Sequence, residues 1–224
     1  MTTSNIMVLA TNDHPLFEQL KAQDYLFFDL KTKDPFEERK TLKPDVIFDF
    51  TLLDHDKKEK LLKNLSMQFE APLVSDLSCL WGEYFMEKFP NLIGAMAAAI
   101  WSPQAKVEVC SKNESDLPMV RDVLRSCNLE LHCVKSAGHG FIYPRTISLL
   151  INEAYLAVED ELATETDLDT AMKYGVNYPL GLVEWSRKIG LKPVVSLLDD
   201  LFEKTKQNRY RASVSLRKLA LLKS

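Results

Sequence analysis

Short apolar runs alternate with amphipathic stretches through residues 1–136, and this alternation constrains the fold more than any other feature of the chain. Most of the runs are apolar nearly throughout, as expected for strands that are covered on both faces. The alternation is the pattern of a parallel sheet with crossover helices, so the sequence predicts an α/β fold for this part. The predicted strands are Ile6–Ala10, Tyr25–Asp29, Asp45–Phe50, Ala71–Asp76, Leu92–Ala97, Lys106–Cys110 and Leu129–Val134. The predicted helices are Pro15–Lys21, Asp56–Phe69, Ser78–Lys88 and Ser115–Ser126.

The Gly-His-Gly stretch at Gly138–Gly140 predicts a domain border, because strand-like runs stop there and helical periodicity takes over. We therefore divide the chain into an α/β domain of residues 1–137 and an all-α domain of residues 138–224. The helix predicted at Thr146–Leu162 carries too many apolar residues for a surface helix, which places it in the domain core or at a subunit interface. Further helices are predicted before Gly175, between Pro179 and Gly190, at Lys192–Lys206 and at Tyr210–Ser224.

Composition excludes several classes of protein. The 28 basic and 32 acidic side chains give a net charge of −4, which offers no broad attraction for nucleic acid or for anionic lipid. The first residues contain too few apolar positions for a signal peptide or a membrane span, so we predict a cytoplasmic protein. The four cysteines lack close CxxC spacing, so we predict buried free thiols and no metal site.

The segment from Gly140 to Leu191 resembles the signature of 3-hydroxyacyl-CoA dehydrogenases, which reads approximately GFIVNRxxxPxxNEAxxLxxEGxAxxxDIDxAMxxGxGxPxGPFELxDxxGLD. The matches include Gly140, Phe141, Arg145, Asn152, Glu153, Ala154, Asp167, Asp169, Ala171, Met172, Gly175, Tyr178, Pro179, Gly181, Glu184, Gly190 and Leu191. So many matches in register are a specific signal. The resemblance implies a Rossmann-like NAD-binding domain, here reduced, followed by a helical domain. It also implies a homodimer that pairs through the helical domain.

The resemblance can be followed into the family's catalytic segment, close to GxHFFNPVPxMKLVEV, which aligns without a gap with Gly94–Val109. Glu108 then falls on the catalytic glutamate, and Met96 falls on the catalytic histidine. A thioether cannot act as the base that this reaction requires. Ser78 matches the family's substrate-contacting serine, whereas Pro144 replaces the asparagine of the GFIVNR motif.

The cofactor end departs from the family pattern as well. The glycine-rich turn expected after the first strand is replaced by Thr11–Pro15, which contains no glycine. NAD is implied by the resemblance, but these side chains and the proline obstruct the usual phosphate cradle. Asp29 ends the second strand, where the family's acidic residue holds the adenosine ribose. The charged stretch between Asp29 and Asp45 predicts a surface loop and leaves no room for the family's helical insertion.

Several residues have two readings. Glu108 is either a surviving catalytic group or a hydrogen-bonded carboxylate on a strand. Ser78 either contacts substrate or, as we favour, caps the helix predicted to continue over Leu80–Lys88. His139 is either a substitute base or an exposed loop residue, and His14 is a candidate anion contact.

Two further sequence features stay open. The run Ala97–Ala99 replaces bulky aromatic residues of the family, so it either opens a pocket or leaves space that Trp101 fills. A basic cluster near the C-terminus is either a phosphate contact or a solvated charge run at a helix end. Its members are Lys204, Lys206, Arg209 and Arg211, together with Tyr210.

These observations predict a degenerate 3-hydroxyacyl-CoA dehydrogenase-like protein of fatty-acyl-CoA metabolism. In this interpretation the chain keeps the two-domain fold, is catalytically impaired and serves as a binding or scaffolding protein for an acyl-CoA or another small ligand. The alternative is an active NAD-dependent oxidoreductase that acts on a 3-hydroxyacyl-CoA through a rearranged site. A third possibility is a different small ligand in the same cleft.

Overall fold

The computed structural model describes residues 5–37 and 42–222, so residues 38–41 of the predicted loop after Asp29 and the end of the last predicted helix lie outside the described residues. Seven strands form one sheet in the order β2-β1-β3-β4-β5-β6-β7. They are β1 (Ile6–Ala10), β2 (Leu26–Asp29), β3 (Val46–Phe50), β4 (Leu73–Asp76), β5 (Leu92–Met96), β6 (Lys106–Ser111) and β7 (Glu130–Cys133). All seven coincide with predicted strands, which confirms the α/β fold class of this part.

The sheet is parallel from β2 to β5, but β6 runs antiparallel to β5, with Gly94 opposite Ser111 and Met96 opposite Val109. β7 is parallel to β6, so the last two strands are both reversed. The predicted parallel sheet is therefore parallel over most of its width, with one reversal, between β5 and β6, that the prediction did not include. The reason is the short connection 97–105, which contains no helix, whereas a parallel pair requires a longer crossover.

Four helices accompany the strands: α1 (Phe17–Lys21), α2 (His55–Gln68), α3 (Gly82–Lys88) and α4 (Leu117–Ser126). Five more follow the last strand: α5 (Tyr143–Glu159), α6 (Glu165–Thr170), α7 (Leu182–Ile189), α8 (Leu191–Thr205) and α9 (Val214–Leu222). Polar side chains fix several helix starts. The Asp54 carboxylate accepts from the amide of Lys57 at 2.9 Å and caps α2. The left-handed backbone of Gly190, with φ of 86°, separates α7 from α8.

The buried apolar side chains form three clusters. One contains Phe85 and Leu62, and another contains Phe48 and Met96; both draw on the strands of the sheet. The third lies among the C-terminal helices and includes Tyr155 and Trp185. α5 contributes to it and packs against α7, α8 and α9, so the helix predicted to be central does lie in the core. No helix within residues 5–37 and 42–222 combines the length and apolar character needed to cross a bilayer.

Candidate ligand sites beside the carboxyl edge of the sheet

A buried hydrogen-bonded chain joins the ends of β1 and β4. His14 is 3% exposed, and its Nε2 lies 2.8 Å from Oδ2 of Asp76. Its Nδ1 accepts the amide proton of Leu16 at 3.1 Å, so the proton of a neutral ring is on Nε2 and is donated to Asp76. The hydroxyl of Ser78 donates to Oδ1 of the same carboxylate at 2.5 Å, and Ser78 Oγ accepts from the amide of Ala99 at 3.0 Å.

The order of the groups in this hydrogen-bonded series does not activate Ser78 as a nucleophile. The Asp76 carboxylate stands between Ser78 and His14, so the imidazole cannot take the serine proton. Ser78 is also not a helix cap, contrary to the reading that we favoured, because α3 begins only at Gly82 and Trp81 precedes it. Both ring nitrogens of His14 are used, so the neutral ring has no free N–H for an anion.

Three backbone amides of the turn after β1 are hydrogen-bonded within the turn itself. The amide of His14 donates to the carbonyl of Thr11 at 2.9 Å, and the amide of Phe17 donates to the carbonyl of His14 at 3.0 Å. The amide of Leu16 is bound to the His14 ring, and Pro15 has no N–H. The side chain of Asp13 carries a carboxylate in the same turn and pairs with Lys192.

A second buried network lies where β3 and β4 end. Lys58 of α2 is 0% exposed, and its ammonium lies 2.7 Å from Oδ2 of Asp49. The ammonium also donates to the carbonyl oxygen and the hydroxyl of Thr51, at 2.8 and 2.9 Å. Ser75 donates to the same Asp49 oxygen at 2.6 Å. The charge pair is thus supplied with hydrogen bonds on both sides, as a buried ion pair requires.

The carboxylate of Glu108 accepts hydrogen bonds from the backbone at the start of α5. It is 9% exposed, and it accepts the amide of Ile142 at 2.9 Å and the amide of Tyr143 at 3.2 Å. A negative charge at a helix N-terminus is favourable because of the helix dipole. Met96, which the resemblance aligned with the family's catalytic histidine, is fully buried, and Pro144 lies buried in the first turn of α5.

Ala97, Ala98 and Ala99 are fully buried as well. Trp101 packs against the cluster that contains Phe48 and against the cluster among the C-terminal helices. Its ring meets that of Trp185 edge-on, with centroids 6.4 Å apart. Of the two readings of the alanine run, the packing favours the one in which Trp101 fills the space.

His139 is not the exposed loop residue that we expected. Its side chain is 10% exposed, its Nε2 lies 2.6 Å from Oδ2 of Asp200, and its ring stacks parallel to that of Trp81. Asp200 is on α8, so this contact ties the Gly-His-Gly stretch to that helix. No local sequence pattern indicates this partner, which lies 61 residues away.

Asp29 and the basic cluster near the C-terminus lie apart from these two buried networks. Asp29 accepts from the amide of Lys31 at 3.0 Å and shapes the turn after β2. In the basic cluster near the C-terminus, Tyr210 is buried and lies under the guanidinium of Arg209, 4.7 Å from the ring centroid. Lys206 pairs with Glu203. In the described part of the chain, no group of three or more His, Cys, Asp or Glu side chains is arranged to hold a metal ion.

Two of the cavities among the described residues bear on a ligand. The first is an apolar groove of about 250 Å³ between the β5–β6 connection, α5 and the start of α7. Its walls include Tyr143, Ile147, Leu150, Tyr178, Leu182 and Trp185. The indole of buried Trp185 interacts with the phenol of Tyr143. Burial raises the pKa of Tyr143, so its phenol remains protonated at neutral pH. The second cavity, the basic cleft, has a volume of about 670 Å³ and lies between residues 12–15 and the junction of α7 and α8.

Comparison with known proteins decides the family of the helical part. Residues 140–224 match the model of the 3-hydroxyacyl-CoA dehydrogenase C-terminal domain. Residues 140–224 belong to that domain family. The 3-hydroxyadipyl-CoA dehydrogenase of Escherichia coli (strain K12) is 41% identical over 85 residues, which are 38% of this chain and 18% of that protein. The 3-hydroxybutyryl-CoA dehydrogenase of Clostridioides difficile is 32% identical over 84 residues, which are 38% of this chain and 30% of that protein.

Solved structures extend the likeness of fold to the whole chain. The (S)-3-hydroxybutyryl-CoA dehydrogenase of Ralstonia eutropha has a TM-score of 0.65 at 15% identity, covering 99% of this chain and 95% of that one. FadB2 of M. tuberculosis has a TM-score of 0.70 at 14% identity, covering 98% and 94%. The chain thus has a Rossmann-like domain followed by a helical domain of the 3-hydroxyacyl-CoA dehydrogenase type. The curated relatives are matched over less than a third of their own length.

The turn after β1 does not fit NAD, the cofactor of this family of dehydrogenases. A dinucleotide places its pyrophosphate against free amides of a glycine-rich turn and a helix start. Here three of those amides are already bonded, Pro15 contributes none, and α1 has only five residues.

Proposed function

We propose that this chain is a catalytically impaired relative of the 3-hydroxyacyl-CoA dehydrogenases that binds an acyl thioester without transferring hydride. One observation carries the proposal: Glu108 commits both carboxylate oxygens to backbone amides at the start of α5, while buried Met96 stands where the family's base would be. A carboxylate held in this way has no imidazole to orient. The closed turn after β1 supports the same conclusion for the cofactor.

The apolar groove suits the acyl part of such a ligand. Ile147, Leu150 and Leu182 offer apolar walls, and the phenol of Tyr143, which also lines the groove, can donate to a thioester carbonyl. A volume of about 250 Å³ is small and fits a short acyl chain.

Calorimetric titration tests this function with acetoacetyl-CoA and NADH as separate probes. We expect saturable binding of acetoacetyl-CoA, no binding of NADH and no oxidation of NADH when both are present. Leu150→Trp, which fills the groove, should weaken acetoacetyl-CoA at least about tenfold. The matched control is Leu162→Trp at an exposed position, which should bind like the unmodified chain. Saturable NADH binding with turnover would instead establish the active oxidoreductase with a rearranged site.

We also propose that the chain forms a homodimer. A homodimer formed through the helical domain is supported by exposed apolar side chains on that part of the chain, among them Tyr174, Val176 and Val214. Light scattering during gel filtration measures the mass directly. A mass close to twice 25.6 kDa supports the dimer, and a mass of one chain contradicts it. We propose the cytoplasm as the compartment.

A further inference from the structure

The basic cleft is strongly charged for a chain with net charge −4. Four cationic side chains line it: Lys31, Arg187, Lys188 and Lys192. Of the lining residues within the described ranges, Asp13 alone is acidic. Four positive charges against one negative charge leave a formal charge of +3, with His14 neutral. A cleft lined by one sign of charge concentrates ligands of the opposite sign.

Two of these cations differ from the family signature. Arg187 and Lys192 stand where the FELxDxxGLD run of the signature has acidic residues. Both lie at the junction of α7 and α8, facing the turn after β1. The two replacements change the formal charge of this wall by four units, which would turn a surface that repels anions into one that attracts them.

The contacts of the cations leave donors for a ligand. Lys192 pairs with Asp13, but an ammonium has three N–H donors, and its side chain is 46% exposed. Lys31 donates to the neutral amide oxygen of Asn12, so its charge is not cancelled there. The ammonium of Lys188 lies 5.6 Å from the centroid of the Trp185 ring. Arg187 pairs with Glu165, which does not line the cleft.

We propose that this cleft binds a phosphate-bearing small molecule through side-chain cations of the helical domain and Lys31. The binding mode differs from that of a dinucleotide, because the amides of His14, Leu16 and Phe17 are engaged and the cations take over the role of phosphate ligands. Guanidinium and ammonium groups both suit phosphate oxygens. A volume of about 670 Å³ accommodates a phosphorylated metabolite. The inference goes beyond the acyl groove and does not depend on it.

Inorganic pyrophosphate is the probe for the test, with calorimetry of the unmodified chain and of R187E/K192E. We expect saturable binding that weakens at least about tenfold in the double variant and falls as salt is raised. K63E is the matched control, because Lys63 is exposed on α2 and does not line the cleft; its affinity should be unchanged. Lys31→Gln approaches the cleft from the other wall and should weaken binding a few-fold even if the double variant fails to fold.

The absence of saturable pyrophosphate binding would overturn the inference, as would equal affinities of the unmodified chain, a folded R187E/K192E and Lys31→Gln. Displacement of pyrophosphate by NADH with tighter affinity would overturn the stated binding mode. The phosphate source is distinguished with acetoacetyl-CoA and with its uncharged thioester, acetoacetyl-N-acetylcysteamine. If R187E/K192E weakens only the former, the cleft holds phosphates of coenzyme A; if neither changes, it serves a separate phosphorylated ligand. The uncharged thioester tests the apolar groove alone, so failure of the two proposals can be told apart.

Discussion

The carboxyl edge of the sheet and the helices that carry the family signature, within Gly140–Leu191, differ in what their family-matched residues do. At the edge, residues that the resemblance assigned to chemistry make structural hydrogen bonds: Glu108 accepts from the start of α5, and Ser78 donates to Asp76. In the helices, residues that match the signature still stand where the fold needs them. Asp169, for example, accepts from the amides of Val183 and Glu184 at 2.8 and 3.1 Å and caps α7.

Other signature residues have similar structural tasks. Asn152 donates to the carbonyl of Arg211 at 3.0 Å and accepts from the amide of Ser213 at 2.8 Å, which fixes the entry to α9. At Gly181 an added Cβ would lie 2.2 Å from the carboxyl group of Asp169. The comparison teaches that a strong family match can record capping and close approach in a scaffold, and that it does not by itself establish the reaction.

The largest expected effect is at the carboxyl edge. Lys58→Met would leave the Asp49 carboxylate buried without its counter-charge, and we expect a loss of roughly 3–5 kcal/mol in the free energy of unfolding. Urea denaturation measures it. Lys63→Met, an exposed position on the same helix, should change stability by less than about 0.5 kcal/mol. Equal losses for the two variants would mean that the buried network does not hold this edge.

The substitution Met96→His tests whether a missing catalytic histidine alone explains the loss of activity that we propose. We expect no 3-hydroxybutyryl-CoA dehydrogenase activity, because the turn after β1 is also closed to the cofactor. We also expect a loss of roughly 1–3 kcal/mol, since a polar ring would replace a fully buried thioether. NADH oxidation with acetoacetyl-CoA and a denaturation curve give both results. Measurable turnover would show that the edge is nearer to a working site than we propose.

Asp169→Ala tests the signature helices in the same way. Removing the acceptor of two amides at the start of α7 should cost about 1–2 kcal/mol and increase amide exchange at Val183 and Glu184. Hydrogen exchange followed by mass spectrometry locates the change. Asp160→Ala, an exposed position at the end of α5, is the control. A neutral result at Asp169 would remove the structural explanation of its match to the signature.

The smallest effect is expected at Asp13, where the two regions meet. Burial pushes the pKa of Asp13 upward, but hydrogen bonds from Lys192 and Thr11 and the nearby ammonium charges outweigh it, so the pKa is lowered. A lowered pKa stabilises the fold above the unfolded value of about 3.9, and this contribution is lost as the pH falls below it. Asp13→Asn should cost less than about 1 kcal/mol at neutral pH, and the difference should vanish in acid. Denaturation curves between about pH 6 and pH 3 measure it; a constant difference contradicts it.

Periodicity and turn residues sufficed for the positions of the strands and of most helices, because both act within a few residues along the chain. They carry no strand direction, so the reversal of β6 was missed. The partners of the candidate site residues are distant in sequence: Glu108 meets Ile142, 34 residues on, and His139 meets Asp200. For Ser78, a plausible local cap was overridden by a tertiary contact with Ala99. Local patterns cannot supply such pairings.

The reversed pair β5–β6 also bears on how the chain folds. Its strands are joined by residues 97–105 alone, whereas each parallel neighbour must first close a loop that spans a longer connection. Short loops close at lower entropic cost and therefore sooner. We expect the antiparallel hairpin Leu92–Ser111 to form early, so that the parallel strands β1 to β4 assemble onto it afterwards.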